Sequence, residues 1–144
     1  MAKLSLANAS VIVDAALAEA RKRKLKPMTV VVLDAGGHDV ALKREDAATM
    51  LRPKIARAKA LGAVGMGRGG REIRRTSETN PIFFSMLMEI TDGNISPVLG
   101  GVLIRADGEI IGAVGVTGDT AENDEICAIA GIVAAGLQPD AGAT

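Results

Sequence analysis

His38 is the chain's single histidine, and it directly follows Gly36-Gly37. A neutral imidazole at such a turn suits an iron ligand or an acid/base, while its plainer role is a hydrogen bond to the turn backbone. Beyond it, period-two alternation sets His38, Val40, Leu42 and Arg44 on one strand face. Six strand residues span roughly 20 Å, a distance His38 and Arg44 do not easily bridge to share one small ligand. Lys59 is the second candidate. Helical spacing places it on a stripe with Leu51, Ile55, Ala63 and Met66, the face expected to be buried. There its stem packs while the ammonium reaches water, or it lines a pocket for an anionic ligand as a general acid/base. Among the acids, Asp46 lies two residues past Arg44 at a strand-to-helix junction, where capping is the plainer role. Asp124, in Asn123-Asp124-Glu125, complements a helix dipole or pairs with Lys59 or Arg44.

Two further segments carry charge or glycine. Arg52–Arg75 holds eight basic side chains against one acid, Glu72. This is a solvated helix face or a rim for carboxylates, phosphates or an acidic partner. The run Gly65-Met-Gly-Arg-Gly-Gly70 lacks the lysine and hydroxyl of a P-loop and has no strand before it, so it reads as a flexible helix connection.

Several function classes are excluded. The net charge is zero, and Phe83 and Phe84 are the only aromatic residues, which leaves no base-stacking platform for nucleic acid. One cysteine, Cys127, and one histidine exclude an intrachain disulfide and a Cys/His metal cluster. The longest uncharged apolar stretch, Ile126–Leu137, is 12 residues, too short to span a bilayer. Asp14 and Glu19 interrupt the N-terminal apolar pattern, so it does not read as a signal peptide. The expectation is a cytoplasmic protein that binds neither nucleic acid nor membrane.

The elements that position these residues follow from their patterning. Leu6–Arg23 predicts an amphipathic helix with Ser5 as N-cap. Met28–Ala35 and Val40–Leu42 predict a hairpin around a two-residue glycine loop. Val98–Ala106 and Glu109–Val116 predict a second, around a type I′ Asp107-Gly108 turn. Between them, Ala47–Met66 and Arg71–Met88 predict helices, the second interrupted at Asn80-Pro81. A last helix, Asp119–Leu137, has Asp119 as N-cap and carboxylates in its first turns. The fold class is α/β (α+β): a single-layer antiparallel sheet of about five strands flanked by helices, in the order α-ββ-αα-ββ-α. One domain is expected over 1–144, with a frayed tail at 139–144.

Taken in order, the residues resemble a known family. Val31-Val-Leu-Asp-Ala-Gly-Gly-His38, Lys43-Arg44-Glu-Asp46, Ala58-Lys59-Ala60, Gly100-Gly101-Val-Leu-Ile104, Asp107-Gly108-Glu109, Ile111-Gly-Ala-Val-Gly-Val-Thr-Gly118 and Asn123-Asp124-Glu125 are similar to the GlcG/HbpS family. That family also includes the C-terminal domain of PduO-type proteins. The resemblance covers nearly the whole chain. It implies an antiparallel sheet flanked by helices, assembly into dimers or larger oligomers, and haem binding in some members, with haem degradation suggested for some. The chain departs from the family pattern at three places. Leu103 replaces a proline, Thr117 a serine, and Arg44-Glu-Asp-Ala47 stands where Arg-Met-Asp-Gly is usual.

The expected function is therefore small-ligand binding of the GlcG/HbpS type, with haem or another anionic planar molecule as ligand. Two competing readings are an enzyme acting on a small carboxylated metabolite, with Lys59 and Asp124 as acid/base candidates and Arg44 as anion clamp, and a non-catalytic accessory subunit. Ligand contacts are expected from His38, Arg44, Asp46, Lys59, Gly100, Gly101 and Asp124, with His38 as the haem-iron candidate. Self-association into a homo-oligomer is expected because a chain this short and 48% hydrophobic leaves apolar surface over.

Overall fold

The computed structural model describes residues 3–143. The elements run α1 (Leu6–Lys22), β1 (Thr29–Asp34), β2 (Asp39–Arg44), α2 (Arg52–Met66), α3 (Gly70–Thr79), α4 (Pro81–Ile90), β3 (Gly101–Ala106), β4 (Glu109–Thr117), α5 (Ala121–Ala134) and β5 (Gln138–Asp140). The five strands form one antiparallel sheet in the order β2-β1-β4-β3-β5. This is the expected α+β architecture, with a fifth strand from the C-terminal segment. Of the tail expected to fray, Pro139 and Asp140 are instead tied down in β5, and Thr144 lies outside the described residues. Leu103 pairs with Asp140 and Ile104 with Pro139. Arg105 Nε also donates to Asp140 Oδ2 at 2.8 Å.

Alternation along β1 separates two cores. Val30 and Val32 pack with Ile12, Val13 and Ala16 of α1 and Cys127, Ala128 and Ile132 of α5. Val31 and Leu33 face the other way, onto Ala56, Ala60 and Ala63 of α2. The large residues of the stripe predicted for α2 do not face the sheet. Leu51 is exposed, and Met66 packs with the α3–α4 pair. The reason is backbone proximity. A Cβ on Gly115 would lie 1.9 Å from the Ala56 carbonyl oxygen, and one on Gly101 2.3 Å from that of Lys59. Only small residues fit a helix lying so close to a sheet, so alanines and glycines make the seam while Leu51, Ile55 and Met66 are turned away from it.

The first hairpin differs from its prediction. Its loop is Ala35–His38, four residues rather than two, organised by the Asp34 carboxylate, which accepts from the amides of Gly36 (2.9 Å) and His38 (3.0 Å). The β1–β2 register also shifts between Val32 and Leu33. Val40 and Ala41 consequently both pack toward the α1/α5 core, and the expected single face through His38, Val40, Leu42 and Arg44 is broken by a bulge. The second hairpin has the predicted turn, with Asp107 at φ 51° and Gly108 at φ 81°, but β3 begins at Gly101 rather than Val98 and the register shifts between Ile104 and Arg105. The last helix is capped by Thr120, whose Oγ accepts from the Asn123 amide at 3.2 Å, not by Asp119. The Gly65–Gly70 connection is packed rather than loose: a Cβ on Gly69 would lie 2.1 Å from the Ala141 backbone, and the Arg71 amide donates to the Ala141 carbonyl at 3.1 Å.

Candidate functional site

Lys59 is buried, with 2% of its side chain exposed, on the sheet-facing side of α2. Its ammonium donates to the Val116 carbonyl and to Asp124 Oδ2, both at 3.0 Å. Asp124 is equally buried, and its other oxygen accepts from the Asp119 amide at 2.9 Å. Burial drives both groups toward neutrality. Desolvation pushes Lys59 below the ordinary lysine range and Asp124 above the ordinary carboxylate range, while their mutual attraction opposes both shifts. The pair is thus closed: two of the three ammonium protons and both carboxylate oxygens are engaged. Gly100 and Gly101 sit against it. A Cβ on Gly100 would meet Lys59 Nζ at 3.0 Å and the Val116 oxygen at 2.5 Å, so these glycines make room for the lysine.

Arg44 and Asp46 stand apart from that pair. Arg44 is exposed, its Nη1 donates to the Ala48 carbonyl at 2.6 Å, and with Asp46 it lines a groove beside Leu17, Arg21 and Pro27. The cation that acts on Lys59 is Arg52, at the start of α2. The expected clamp of Lys59 and Arg44 balanced by Asp124 is therefore replaced by a lysine–aspartate pair with Arg52 nearby. The bulge and the turn before α2 carry the end of β2 away from the buried pair.

The basic run does not form one rim, because its members find separate partners. Arg57 pairs with Asp39, and Arg74 with Glu78. Arg71 grips the buried Glu125 through Nε and Nη2 at 2.7–3.1 Å, clamping α3 to α5. The sequence reading overlooked this last pair. Its only signal was a second acid after Asp124 on a helix whose outer face needed no charge.

His38 belongs to a different place, the opposite end of β2. Its side chain is 80% exposed, and Nδ1 lies 3.2 Å from Asp34 Oδ1. The backbone amides of His38 and Gly36 together with the imidazole hold the Asp34 carboxyl below its ordinary range. A protonated Nδ1 facing Asp34 leaves Nε2 with its lone pair outward, the arrangement that orients histidines toward metals. His38 stands on the rim of a cleft of about 470 Å³ lined by Lys3, Leu4, Ala35, Glu109, Ile110 and Ile111. Leu4 and Ile110 supply apolar lining, with Ile111 largely buried in the α1/α5 core, and Lys3 supplies a cation. Of these lining residues the sequence reading singled out His38 alone. The rest come together only because the β3–β4 hairpin and the start of α1 meet the first hairpin loop. Among the described residues no three His, Cys, Asp or Glu side chains gather as a metal cluster, and no helix is long and apolar enough to cross a membrane.

Comparison with known proteins agrees with this architecture. The family model for HbpS-like proteins, described as haem degrading protein HbpS-like, matches residues 4–133. Protein GlcG of Escherichia coli is 35% identical over 114 residues, 79% of this chain and 81% of that protein. A 15.0 kDa protein from the dhaT-dhaS intergenic region of Citrobacter freundii is 30% identical over 129 residues, 89% of each chain. Among solved structures, a PduOC:heme complex superposes with a TM-score of 0.85 at 25% identity, covering 95% of this chain and 98% of the other. HbpS superposes at 0.81 with 26% identity, covering 92% and 90%. With its sheet order, its two helical layers and a match over nearly its whole length, the chain belongs to the HbpS-like family.

Proposed function

We propose that this protein binds haem, or a planar anionic ligand of the same kind, in the cleft beside His38. The observation that carries this reading is the pairing of His38 Nδ1 with Asp34 at the rim of a cleft lined by Leu4 and Ile110. Haem requires an apolar slot, an axial donor and cations for its propionates. Here Leu4 and Ile110 would line the slot, His38 Nε2 would hold the iron and Lys3 would offer a cation. A bound haem would supply redox chemistry at its iron; the chain's part is to orient the imidazole through Asp34 and to exclude water with Leu4 and Ile110. The haem complex of a structural neighbour supports the choice of ligand. Hemin titration tests it. Wild type should develop a Soret band that His38→Ala shifts or abolishes and Asp34→Asn weakens. An unchanged spectrum in His38→Ala would assign the iron to another residue.

The same reading includes self-association through α4. Ile82 (84% exposed), Met86 (46%) and Ile90 (67%) recur every four residues along one face of that helix. The stripe is symmetric about Met86, so a two-fold axis there sets Ile82 of one copy against Ile90 of the other. Exposed apolar area of this kind is expected to be covered by a second copy, with Met86→Glu returning the protein to monomer in light scattering.

A further inference from the structure

A groove of about 480 Å³ lies between the C-terminal half of α1 and the end of β2. Most of the charges that line it are already matched. Arg21 pairs with Glu45 at 3.0 Å and donates to the Leu25 and Lys26 carbonyls at 2.8 and 2.9 Å. The other Glu45 oxygen accepts from the Met28 amide at 2.8 Å. Lys43 pairs with Asp14 at 2.7 Å. These contacts make a fixed floor in which each cation has its own acid.

Two lining side chains, Arg44 and Asp46, are left over. Arg44 Nη1 donates to the neutral Ala48 carbonyl at 2.6 Å, and its Nε and Nη2 have no partner among the described residues. The Asp46 carboxylate makes no ion pair or hydrogen bond among the described residues. The two are of opposite charge and two residues apart, yet no ion pair joins them. The backbone between them accounts for this. Arg44 is drawn forward to Ala48, and Ala47 turns the chain in a left-handed conformation at φ 70°. A non-glycine residue held there is strained, and such strain gathers where a fold shapes a site.

The chemistry of the groove selects the ligand. A purely anionic molecule that reaches Arg44 also meets Asp46, and a purely cationic one that reaches Asp46 also meets Arg44. Only a molecule that carries both charges close together satisfies both side chains. Leu17 and Pro27 add apolar surface to the same groove.

We infer that this groove binds a zwitterionic metabolite of the amino-acid class. Its carboxylate is taken by the Arg44 guanidinium, its ammonium by Asp46, and its apolar side chain lies on Leu17 and Pro27. The inference does not rest on the haem reading, because His38 precedes β2 and Arg44 ends it.

The test uses the full chain and L-leucine as probe, with isocaproate and isoamylamine as ligands that each keep one of its two charges. Each is titrated at constant ionic strength while the melting temperature is read. L-leucine should raise the melting temperature saturably, and each single-charge ligand should need at least tenfold higher concentration for the same rise. Arg44→Gln and Asp46→Asn should each need at least tenfold more L-leucine. Asp46→Asn should take isocaproate at least as well as wild type, since the repelling carboxylate is gone. Arg74→Gln, in an exposed pair with Glu78, should respond as wild type does. Calorimetric titration of the folded variants reads the same affinities without reference to their own stability. Hemin titration should be the same in wild type and Asp46→Asn. No saturable response to L-leucine, single-charge ligands as effective as L-leucine, or an undiminished response in Asp46→Asn overturns the inference.

Discussion

Lys59 and Asp124 meet at 3.0 Å beneath Gly100, joining the helix on one face of the sheet to a helix on the other. The lysine leaves α2 and the aspartate leaves the first turn of α5, so their contact closes the sheet end where β3 begins. Each ion alone would be a buried, unpaired charge, and burial already pushes each toward its neutral form. The pair holds the two layers in register rather than offering a reactive ammonium.

Breaking one side of the pair should therefore cost far more than replacing both. Lys59→Met strands Asp124 and is expected to lose about 3–5 kcal/mol of stability. Asp124→Asn on top of it keeps an oxygen for the Asp119 amide and removes the stranded charge, so the double variant should recover most of that loss. Urea unfolding of the three proteins measures it. A double variant no more stable than Lys59→Met would show that the pair's role is something other than mutual charge compensation.

Asp119 supplies an acid-side dependence. Its carboxylate accepts from Asn123 Nδ2 and from the amides of Lys26 and Thr120, which bring its pKa from 3.8 to about 2. A depressed folded-state pKa means stability that is complete above 3.8 and is lost as pH falls through about 2. The stability gap between wild type and Asp119→Asn should be widest near neutrality and close across that interval. Urea midpoints measured at successive pH values track it, and a gap that stays constant down to the lowest pH would mean the hydrogen bonds do not depend on the charge.

Much of this was legible in the residues, and the parts that were not share a cause. The strands and the Asp107-Gly108 turn follow from local patterning, because alternation and turn chemistry are short-range signals. The orientation of α2 was not legible from its hydrophobic residues. A stripe through Leu51, Ile55 and Met66 is the natural choice until Gly101 and Gly115 are known to lie beneath the helix, and that is a long-range fact. The buried, unpartnered hydroxyl of Thr29 escaped notice for the opposite reason. A threonine before three valines reads simply as a good strand residue, and only the packed structure shows its hydroxyl unpaired. The bulge at Val40 likewise depends on pairing with β1 and leaves no mark in β2 itself.

Ala47 carries strain in its backbone. It sits at φ 70°, a left-handed conformation in the turn between β2 and α2. A left-handed alanine costs about 1–2 kcal/mol that glycine avoids, partly offset by glycine's greater freedom when unfolded. Ala47→Gly should raise stability by up to about 1 kcal/mol, read as a higher urea midpoint at unchanged slope. A drop in midpoint would mean the alanine methyl makes a packing contact worth more than the strain.

Gly108 should be far less forgiving, because its turn closes the hairpin at the centre of the sheet. Both central residues have positive φ, 51° at Asp107 and 81° at Gly108, and no atom lies within 4 Å of where a Cβ on Gly108 would stand. The cost of Gly108→Val is therefore conformational, not steric crowding with neighbours. A β-branched residue resists a positive φ more than alanine does, so a loss of more than about 2 kcal/mol is expected. Gly108→Asn, which tolerates the left-handed region, should lose much less. The comparison separates backbone strain from any general intolerance of a side chain. If asparagine and valine destabilise equally in thermal unfolding, strain at φ 81° is not what holds glycine at this position.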